Sequence, residues 1–467
     1  MVLIAVLGVL LAGWLALVAL DLAAAAGAGA RDRATERSLA RAREALLAYA
    51  ADRPIDADVG PGYLPCPDLD NDGWAESTCG SLAGDVGQRE RLGRLPWKTL
   101  GLEDLRDGHG ERLWYAVSTK HKGLLNCAPT PACVDMTADA ALGTISVREP
   151  SGAWRHDGRI ADALHAARGG AAAVVLAPGA ALTRRDGHHQ HRDCGLPDCD
   201  ALGRCLPEPR WLAAACDPRN YLDVATLGDG PREDNARFVD RIAPRDGNGD
   251  GFVTGAGAGE GGTMNDRLVA VGHADLTPRV AARIAAEAAH CLRAFAADPR
   301  AHGRLPWAAP SCAASPGGVA GTGFGRLPTP PFVAAATPQG PLPTSWTAHC
   351  AIGDGTGWWT AWRRAVFYAV APGHQPSSPL PSCTAGACLA VRDAEGRTMA
   401  SDRRFAVMVA GPPLATAAGR QDRSRPEPAH WLEGAHVPEE PCEVRAPGAV
   451  TTAPRSAAFN DAVVASP

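Results

Sequence analysis

The chain has 467 residues, enough for two or three domains of ordinary size. Its 46 Lys and Arg residues against 51 Asp and Glu give a net charge of −5, which argues against a protein that binds nucleic acid through broad positive charge. Glycine (52) and proline (39) together form about a fifth of the residues and aromatic residues only 5%. This excludes a long helical bundle and predicts short elements joined by many turns.

The N-terminal segment is apolar. No charged residue lies between Met1 and Leu20, and twenty helical residues span about 30 Å, the thickness of a bilayer core. We therefore expect residues 1–22 to be a transmembrane anchor. A cleaved signal peptide is the alternative, because Ala28-Gly29-Ala30 has the form of a signal-peptidase site.

Two sequence features disagree on the compartment. Five arginines follow the apolar segment, and the positive-inside rule would then place the body in the cytoplasm: Arg31, Arg33, Arg37, Arg41 and Arg43. The 14 cysteines favour an oxidising compartment, since their number is even and several lie in close pairs. We give the cysteines more weight and expect a periplasmic or extracellular body, anchored in a bacterial inner membrane. Reduced structural thiols are the alternative.

The close pairs are candidate disulfides: Cys66 with Cys79, Cys127 with Cys133, and Cys383 with Cys388. The sequence leaves the pairing of the other cysteines open, and they are Cys194, Cys199, Cys205, Cys216, Cys291, Cys312, Cys350 and Cys442.

The chain contains an internal repeat. Ser38–Asp52 (SLARAREALLAYAAD) has apolar residues at helical spacing, and Arg283–Asp298 (RIAAEAAHCLRAFAAD) ends in almost the same way. Further matches follow in the same order: GYLP (62–65) with GRLP (303–306), GRLP (93–96) with GRLP (325–328), WYAV (114–117) with FYAV (367–370), AVVLAPG (173–179) with AVMVAGPP (406–413), and Asn265-Asp266 with Asn460-Asp461. The order predicts two copies of one module, over 23–275 and 276–467.

Each module reads as a helix followed by short apolar strands in a Pro- and Gly-rich background. We therefore predict an α+β fold in which each module is a helix plus a mainly antiparallel sheet with disulfide-stapled loops. The first copy has about 22 more residues between Gly179 and Tyr221 than the second has between Gly411 and Trp431. This predicted insertion contains His188, His189, His191, Cys194, Cys199 and Cys205.

Several of these motifs together resemble a known family. The AREALLAYA helix, GYLPCPDLDNDG, GRLPWKTLGLEDLRD, GERLWYAVS, AVVLAPG, NYLD and NDRLVAV resemble uncharacterised bacterial pilin-like proteins, akin to the pseudopilins of type IV pilus and type II secretion systems. The resemblance covers about residues 1–275. It implies a membrane-embedded N-terminal helix packed on a β domain, a non-catalytic role, and pilin-like or secretion-machinery proteins as partners.

The chain also departs from that family. Met1–Leu20 lacks the prepilin processing site, and no acidic residue precedes Asp21. We therefore expect a protein that stays anchored alone rather than a major filament subunit.

Two loops have the pattern of a Ca²⁺ site, with carboxylates at alternate positions and glycine at the sixth. The first offers Asp68, Asp70, Asp72 and Glu76; the second offers Asp246, Asn248, Asp250, Phe252 (through its carbonyl) and Thr254. Both lack the Glu at position twelve, so the sites would be weak. Asx turns without a metal are the alternative interpretation.

A metal-dependent hydrolase is the competing function, with the His- and Cys-rich insertion over 188–205 as its metal site. The spacing there matches no standard zinc motif, and disulfides among its cysteines are the simpler interpretation. The chain has no G-x-S-x-G, H-E-x-x-H or P-loop motif, so we predict no catalytic residues and no organic cofactor.

Trp346, Trp358, Trp359 and Trp362 are predicted to pack in the core. The alternative is an exposed aromatic face for sugars or a partner protein. Residue burial distinguishes the two interpretations.

Overall fold

The computed structural model describes residues 2–52, 60–77, 79, 91–118, 121–122, 143–149, 151–158, 169–192, 194, 216–226, 232–236, 251–253, 264–312, 317–337, 339–347, 350–352, 358–416, 419–440, 442, 444–456 and 458–467. In these ranges the chain forms a long N-terminal helix, two four-stranded sheets, smaller sheets and a second long helix.

Helix α1 runs without a break over Val2–Asp52. The apolar N-terminal segment and the predicted helix over Ser38–Asp52 are thus one element. In its C-terminal part, Leu39, Ala42, Leu46 and Ala50 are buried, and their spacing of three or four residues places them on one face. This face packs on the first sheet, so the second part of α1 belongs to the body of the protein.

The strands of the first half are β1 (Leu92–Arg94), β2 (Trp114–Val117), β3 (Ser146–Arg148), β4 (Trp154–His156), β5 (Ala171–Ala177), β6 (Val224–Thr226), β7 (Arg232–Asp234), β8 (Gly251–Val253) and β9 (Arg267–Gly272). Four of them form an antiparallel sheet in the order β1-β2-β5-β9. The central strand β5 is buried on both faces, which explains its continuous apolar run of Ala, Val and Leu.

Helix α2 (His273–Ala297) follows β9 directly. The backbone N–H of Gly272 donates to Oδ2 of Asp275 at 2.9 Å, which caps the first turn. The predicted module boundary at 275/276 therefore lies inside the first turn of a helix, and Pro278 lies inside α2 rather than at its start. Helix α2 contacts α1 and β9 on one side and two strands of the second sheet on the other.

The second half contains a short helix α3 (Trp359–Trp362) and the strands β10 (Phe324–Arg326), β11 (Ala336–Thr337), β12 (Gly340–Pro341), β13 (Val366–Val370), β14 (Leu389–Arg392), β15 (Thr398–Arg403), β16 (Phe405–Val409), β17 (Ala415–Thr416), β18 (Gly419–Arg420), β19 (Ala449–Thr451) and β20 (Ala462–Ser466). Its main sheet is antiparallel, in the order β10-β13-β16-β20.

The two main sheets have the same order and an equivalent register. Tyr115 pairs with Gly93 and Val175, and Tyr368 pairs with Gly325 and Val407. Each half also has a three-stranded sheet of the same kind: β3 pairs with β4 antiparallel and β8 parallel, and β14 pairs with β15 antiparallel and β19 parallel. The sheets are thus mainly, but not wholly, antiparallel.

Disulfides join Cys66 to Cys79, Cys194 to Cys216, Cys291 to Cys350, Cys312 to Cys442 and Cys383 to Cys388. Every one of these described bonds lies within residues 23–275 or within 276–467. Cys127, Cys133, Cys199 and Cys205 lie outside the described residues. The long N-terminal helix, the antiparallel sheets and the disulfides confirm the α+β class.

Candidate functional site

The N-terminal part of α1 is the largest exposed apolar surface among the described residues. Its large apolar side chains are between 53% and 67% exposed: Leu10, Leu11, Trp14, Leu15, Leu17, Leu20 and Leu22. By length and composition, α1 is the one described helix able to cross a membrane. An exposed apolar patch of this size on a helix is typical of a segment that inserts in a membrane or is covered by a partner.

The first predicted Ca²⁺ loop forms a turn closed by the Cys66–Cys79 disulfide. Oxygens of Asp68, Asp70 and Glu76 lie within 4.8 Å of one another, close enough to share an ion. The Asp72 carboxylate instead accepts the Trp74 backbone N–H at 2.7 Å. The structure therefore brings together three of the four predicted ligands and uses the fourth in an Asx turn.

Asp68 is the buried member of this loop. Its carboxylate accepts the backbone N–H of Gly73 at 2.8 Å and of Asp72 at 3.2 Å. Burial, with the nearby charges of Asp70 and Asp72, raises the pKa of Asp68 to about 6. Nζ of Lys98 donates to the Asp72 carbonyl and so supplies a positive charge at the edge of the loop. In the second half, Ala309 takes the place of Asp68, because both form a bridge to the corresponding arginine.

The second predicted Ca²⁺ loop cannot be assessed in the same way. Asp246, Asn248, Asp250 and Thr254 lie outside the described residues. Phe252 lies in β8, where its backbone pairs with Val147 of β3.

Two histidines of the predicted insertion, His188 and His189, each contact a different polar partner. Nε2 of His188 lies 2.8 Å from Oδ1 of Asn220, and Nδ1 of His189 lies 2.8 Å from the Thr183 hydroxyl. Among the described residues, the clusters of metal-ligating atoms include neither of these histidines nor His191. Cys194 is consumed in the disulfide to Cys216.

The four tryptophans of the second half are buried. Trp346 is 8% exposed, Trp358 4%, Trp359 0% and Trp362 2%, so the alternative of an exposed aromatic face made by them is wrong. Trp346 makes edge-to-face contacts with Phe295 and Phe332, and Trp358 makes one with Trp359. Trp74, which lies in the loop of Asp68, Asp70 and Glu76 (the acidic loop), is 55% exposed, and Trp14 of α1 is 61% exposed.

Sequence reasoning missed a buried polar network in the first half, between the end of β5 and the start of β9. Oδ2 of Asp223 accepts the backbone N–H of Asn265 at 2.6 Å, and Oδ2 of Asp266 accepts the backbone N–H of Asp223 at 2.8 Å. Gln190 donates to Asp223, and Asn235 donates to Asp266. The two carboxyl groups are thus held against each other by hydrogen bonds.

The second half contains the same network. Oε2 of Glu433 accepts the backbone N–H of Asn460 at 3.0 Å, and Oδ2 of Asp461 accepts the backbone N–H of Glu433 at 3.1 Å. Gln421 donates to Glu433, as Gln190 does to Asp223. His436 takes the place of Asn235, with its Nδ1 2.9 Å from Oδ2 of Asp461.

An arginine closes each network in the same way. Arg192 donates to the carbonyls of Asn220 and Gly179 and lies over the ring of Tyr221. Arg423 makes the equivalent contacts.

Arg423 donates to the carbonyls of His430 and Gly411 and lies over the ring of Trp431. A guanidinium held by two carbonyls and an aromatic face fixes the turn beside it, which gives the arginine a structural role.

Burial sets the protonation of these carboxyl groups. It raises the pKa of Glu433 to about 8, with a further increase from the charge of Asp461, and it raises the pKa of Asp461 to about 7. It also raises the pKa of Asp223 and, together with the Asp223 charge, that of Asp266. The pair of Glu433 and Asp461 therefore retains a proton near neutral pH, and the pKa values of Asp223 and Asp266 are raised in the same direction.

The repeated network corrects the position of the insertion. Gln190 and Arg192 correspond to Gln421 and Arg423, so the stretch that carries His188, His189 and His191 has a counterpart in the second half. The extra residues therefore begin after Arg192. The repeated Gln-x-Arg, at 190–192 and 421–423, was the sequence signal for this site.

Comparison of the chain with protein-family models, with curated proteins and with solved structures gives no match.

Proposed function

We propose that this protein is an exported, membrane-anchored structural or interaction protein with a pilin-like architecture, made of two copies of one module. Helix α1 holds the chain in the inner membrane, and the body lies in the periplasm or outside the cell. The protein serves assembly or secretion by contacting other proteins, without a catalytic step.

The observation that carries this proposal is the two-part nature of α1. One part is apolar and exposed, and the other is packed on the first sheet in the same unbroken helix. A soluble core helix would bury its apolar residues within the body, whereas these side chains meet only solvent in the described chain. A bilayer supplies the apolar environment that they lack.

The equivalence of the two halves supports the duplication. Both have the same sheet order, the same parallel strand pair and the same carboxyl network. Unrelated domains do not share hydrogen bonds at collinear positions, such as those from Gln190 and Gln421.

The described disulfides support the proposed compartment, because five of them persist only where thiols are oxidised. In that setting, the loop of Asp68, Asp70 and Glu76 is proposed as a weak Ca²⁺ site that stiffens the first half, since three converging carboxylates repel one another until a cation neutralises them.

The experiment places two arginines in the apolar part of α1, as L11R/L15R, and compares this variant with L380R/M399R. The control changes exposed apolar residues of the second half by the same charge. Each arginine costs about 3 kcal/mol at the centre of a membrane-spanning helix. We expect wild type and control to stay in carbonate-washed membranes of a bacterial host, and L11R/L15R to be released.

Protease digestion of spheroplasts and mass spectrometry without reductant complete the test. The proposal requires a body that protease reaches from outside the inner membrane, an N-terminus that begins before Leu10, and intact disulfides. Free thiols throughout, a protected body, or equal release of all three proteins would overturn it.

A further inference from the structure

The arginines that follow the apolar segment fall into two groups. Arg41 forms an ion pair with Glu103, and Arg43 forms one with Asp275 of α2 at 2.7 Å, so both are part of the body. Arg31, Arg33 and Arg37 are exposed and form no ion pair within the described part of the chain. These three are the free cations of α1.

The acidic residues of the same stretch do not neutralise the free arginines. Arg267, at the start of β9, lies 3.2 Å from Asp32 and 2.7 Å from Glu36. Arg267 of β9 therefore forms ion pairs with both carboxylates. The stretch from 31 to 37, with three arginines and two acidic residues, retains a net positive charge.

The body begins at Arg31. Gly108 is pressed against the helix there, since a β-carbon on Gly108 would lie 2.2 Å from the Arg31 carbonyl oxygen. The Gly108 N–H also donates to the Thr35 hydroxyl at 2.9 Å. Residues before Arg31 make no such contact with the described body, so Arg31 and Arg33 lie where α1 leaves it.

Their guanidinium groups point toward the proposed membrane. Nη1 of Arg31 lies 3.7 Å from the position of a β-carbon on Gly27, and Nη1 of Arg33 lies 3.7 Å from that on Gly29. Helical side chains lean toward the N-terminus, and glycine leaves room for the charged groups to lie against the helix. Each arginine thus carries its charge one turn closer to the apolar segment.

The helix geometry gives the depth of these charges. A bilayer core of about 30 Å takes twenty residues, so a span that starts at Val2 ends near Leu22. Gly27 and Gly29 lie five and seven residues further, or roughly 7 to 10 Å, at the outer edge of a headgroup layer about 5 to 8 Å deep; tilting of the helix brings them to the level of the lipid phosphates.

We propose that Arg31 and Arg33 bind the phosphate groups of anionic phospholipids in the leaflet next to the body. This inference rests on the proposed membrane anchoring and adds the lipid class that the anchor selects. Guanidinium groups donate two parallel hydrogen bonds to phosphate, and a bilayer surface presents many phosphates at one height. The two arginines therefore hold the first half at a fixed distance from the membrane.

The test uses the full-length protein in nanodiscs that contain phosphatidylglycerol as a minority in phosphatidylcholine. Native mass spectrometry counts the lipids of each kind that stay bound. We expect wild type to enrich phosphatidylglycerol over its bulk fraction at low salt, by roughly fivefold for each arginine, and to lose the enrichment at high salt. The variant R31Q/R33Q should return to the bulk fraction.

The matched control is R300Q/R363Q, which removes the same charge from exposed positions of the second half and should keep the enrichment. Inorganic phosphate at constant ionic strength separates the two possible ligands: binding to a bilayer surface resists it, whereas a site for free phosphate is competed out.

Equal enrichment in wild type and R31Q/R33Q, or competition by inorganic phosphate, overturns the lipid inference while leaving the anchor intact. Failure of wild type to enter nanodiscs would instead contradict the proposed function.

Discussion

The two halves differ most where the same network is built from different residues. In the first half, two aspartates face each other and Asn235 donates to Asp266; in the second, a glutamate faces an aspartate and His436 donates to Asp461. Burial lowers the pKa of His436 to about 4, so the imidazole is neutral. Its Nδ1 lies 2.9 Å from Oδ2 of Asp461, and its Nε2 lies 2.9 Å from the carbonyl oxygen and 3.0 Å from the backbone nitrogen of Thr451.

The two halves thus keep the same uncharged contact to the buried carboxyl group while the side chain that makes it changes from Asn235 to His436. Asn235 and a neutral His436 each offer one N–H to the same carboxylate oxygen. Asn235 brings no positive charge and His436 is neutral, so burial raises the pKa values of the carboxyl groups in both halves. The requirement that persists is thus a closed set of hydrogen bonds around two buried carboxyl groups.

The largest expected effect comes from matched leucines of the two long helices. L46A in α1 and L292A in α2 each remove a fully buried side chain and should lower the free energy of unfolding by about 3 kcal/mol. Urea unfolding in detergent measures it. Because α2 contacts both sheets, L292A should shift the transition of the whole body. A transition of the second half alone would show that the halves unfold independently.

The next effect concerns the carboxyl pairs. The folded chain retains protons that the unfolded chain releases above the ordinary pKa of a carboxyl group, so stability falls as the pH rises from about 5 to 9. In D461N and D266N, the amide NH₂ group takes the position of the carboxyl oxygen Oδ1. In wild type this oxygen accepts no hydrogen bond from any other described residue, so the substitution breaks none.

In both variants the free energy of unfolding should depend less on pH than in wild type. At pH 9 it should exceed that of wild type, in D461N by on the order of 2 kcal/mol. Calorimetry at several pH values measures this, with exposed Asp402 as the D402N control. A steeper slope in either variant would contradict the shared proton.

A smaller effect distinguishes the acidic loop from its counterpart at Ala309. At Ca²⁺ concentrations of about ten times the dissociation constant, binding should stabilise wild type by roughly 1.4 kcal/mol. D70N/E76Q should remove that gain, whereas D393N, on the second half, should keep it. Thermal shifts with Ca²⁺ and with Mg²⁺ provide the measurement, and equal shifts in wild type and D70N/E76Q would rule out this site.

The smallest effect compares two tyrosines at one register position. The hydroxyl of Tyr115 donates to the Pro65 carbonyl at 3.0 Å, and that of Tyr368 donates to the Pro306 carbonyl at 3.2 Å. Y115F and Y368F should each cost about 1 kcal/mol. Unfolding measurements on both variants check whether the halves use this bond equally. A difference of more than twofold would break the equivalence.

The sequence predicted the elements whose pattern is local. Leu46 and Leu292 each belong to a set of apolar residues at helical spacing, and the apolar run of β5 indicates a buried strand. The helices and main strands could therefore be predicted from periodicity. The continuity of α1 over Val2–Asp52 agrees with the N-terminal helix that the family resemblance implied, although no local pattern between the apolar segment and Ser38 marks it.

The buried networks could not be found in this way, because their members are far apart in the chain. Asp223 meets Asp266 across 43 positions, and no local pattern marks a carboxylate as buried. Comparison of the halves already matched Asn265-Asp266 with Asn460-Asp461, and its extension residue by residue would have shown the repeated Gln-x-Arg at 190–192 and 421–423. The acidic loop was visible because its ligands are adjacent, yet the use of Asp72 in a turn depends on backbone geometry alone.

The direct junction between β9 and α2 has a mechanical consequence. Since no slack chain separates the two halves and α2 rests on both, a pull on the distal half passes through the helix to the first sheet and on to α1. A force applied to the second half would therefore be transmitted to the proposed membrane anchor and would not be absorbed by a flexible linker.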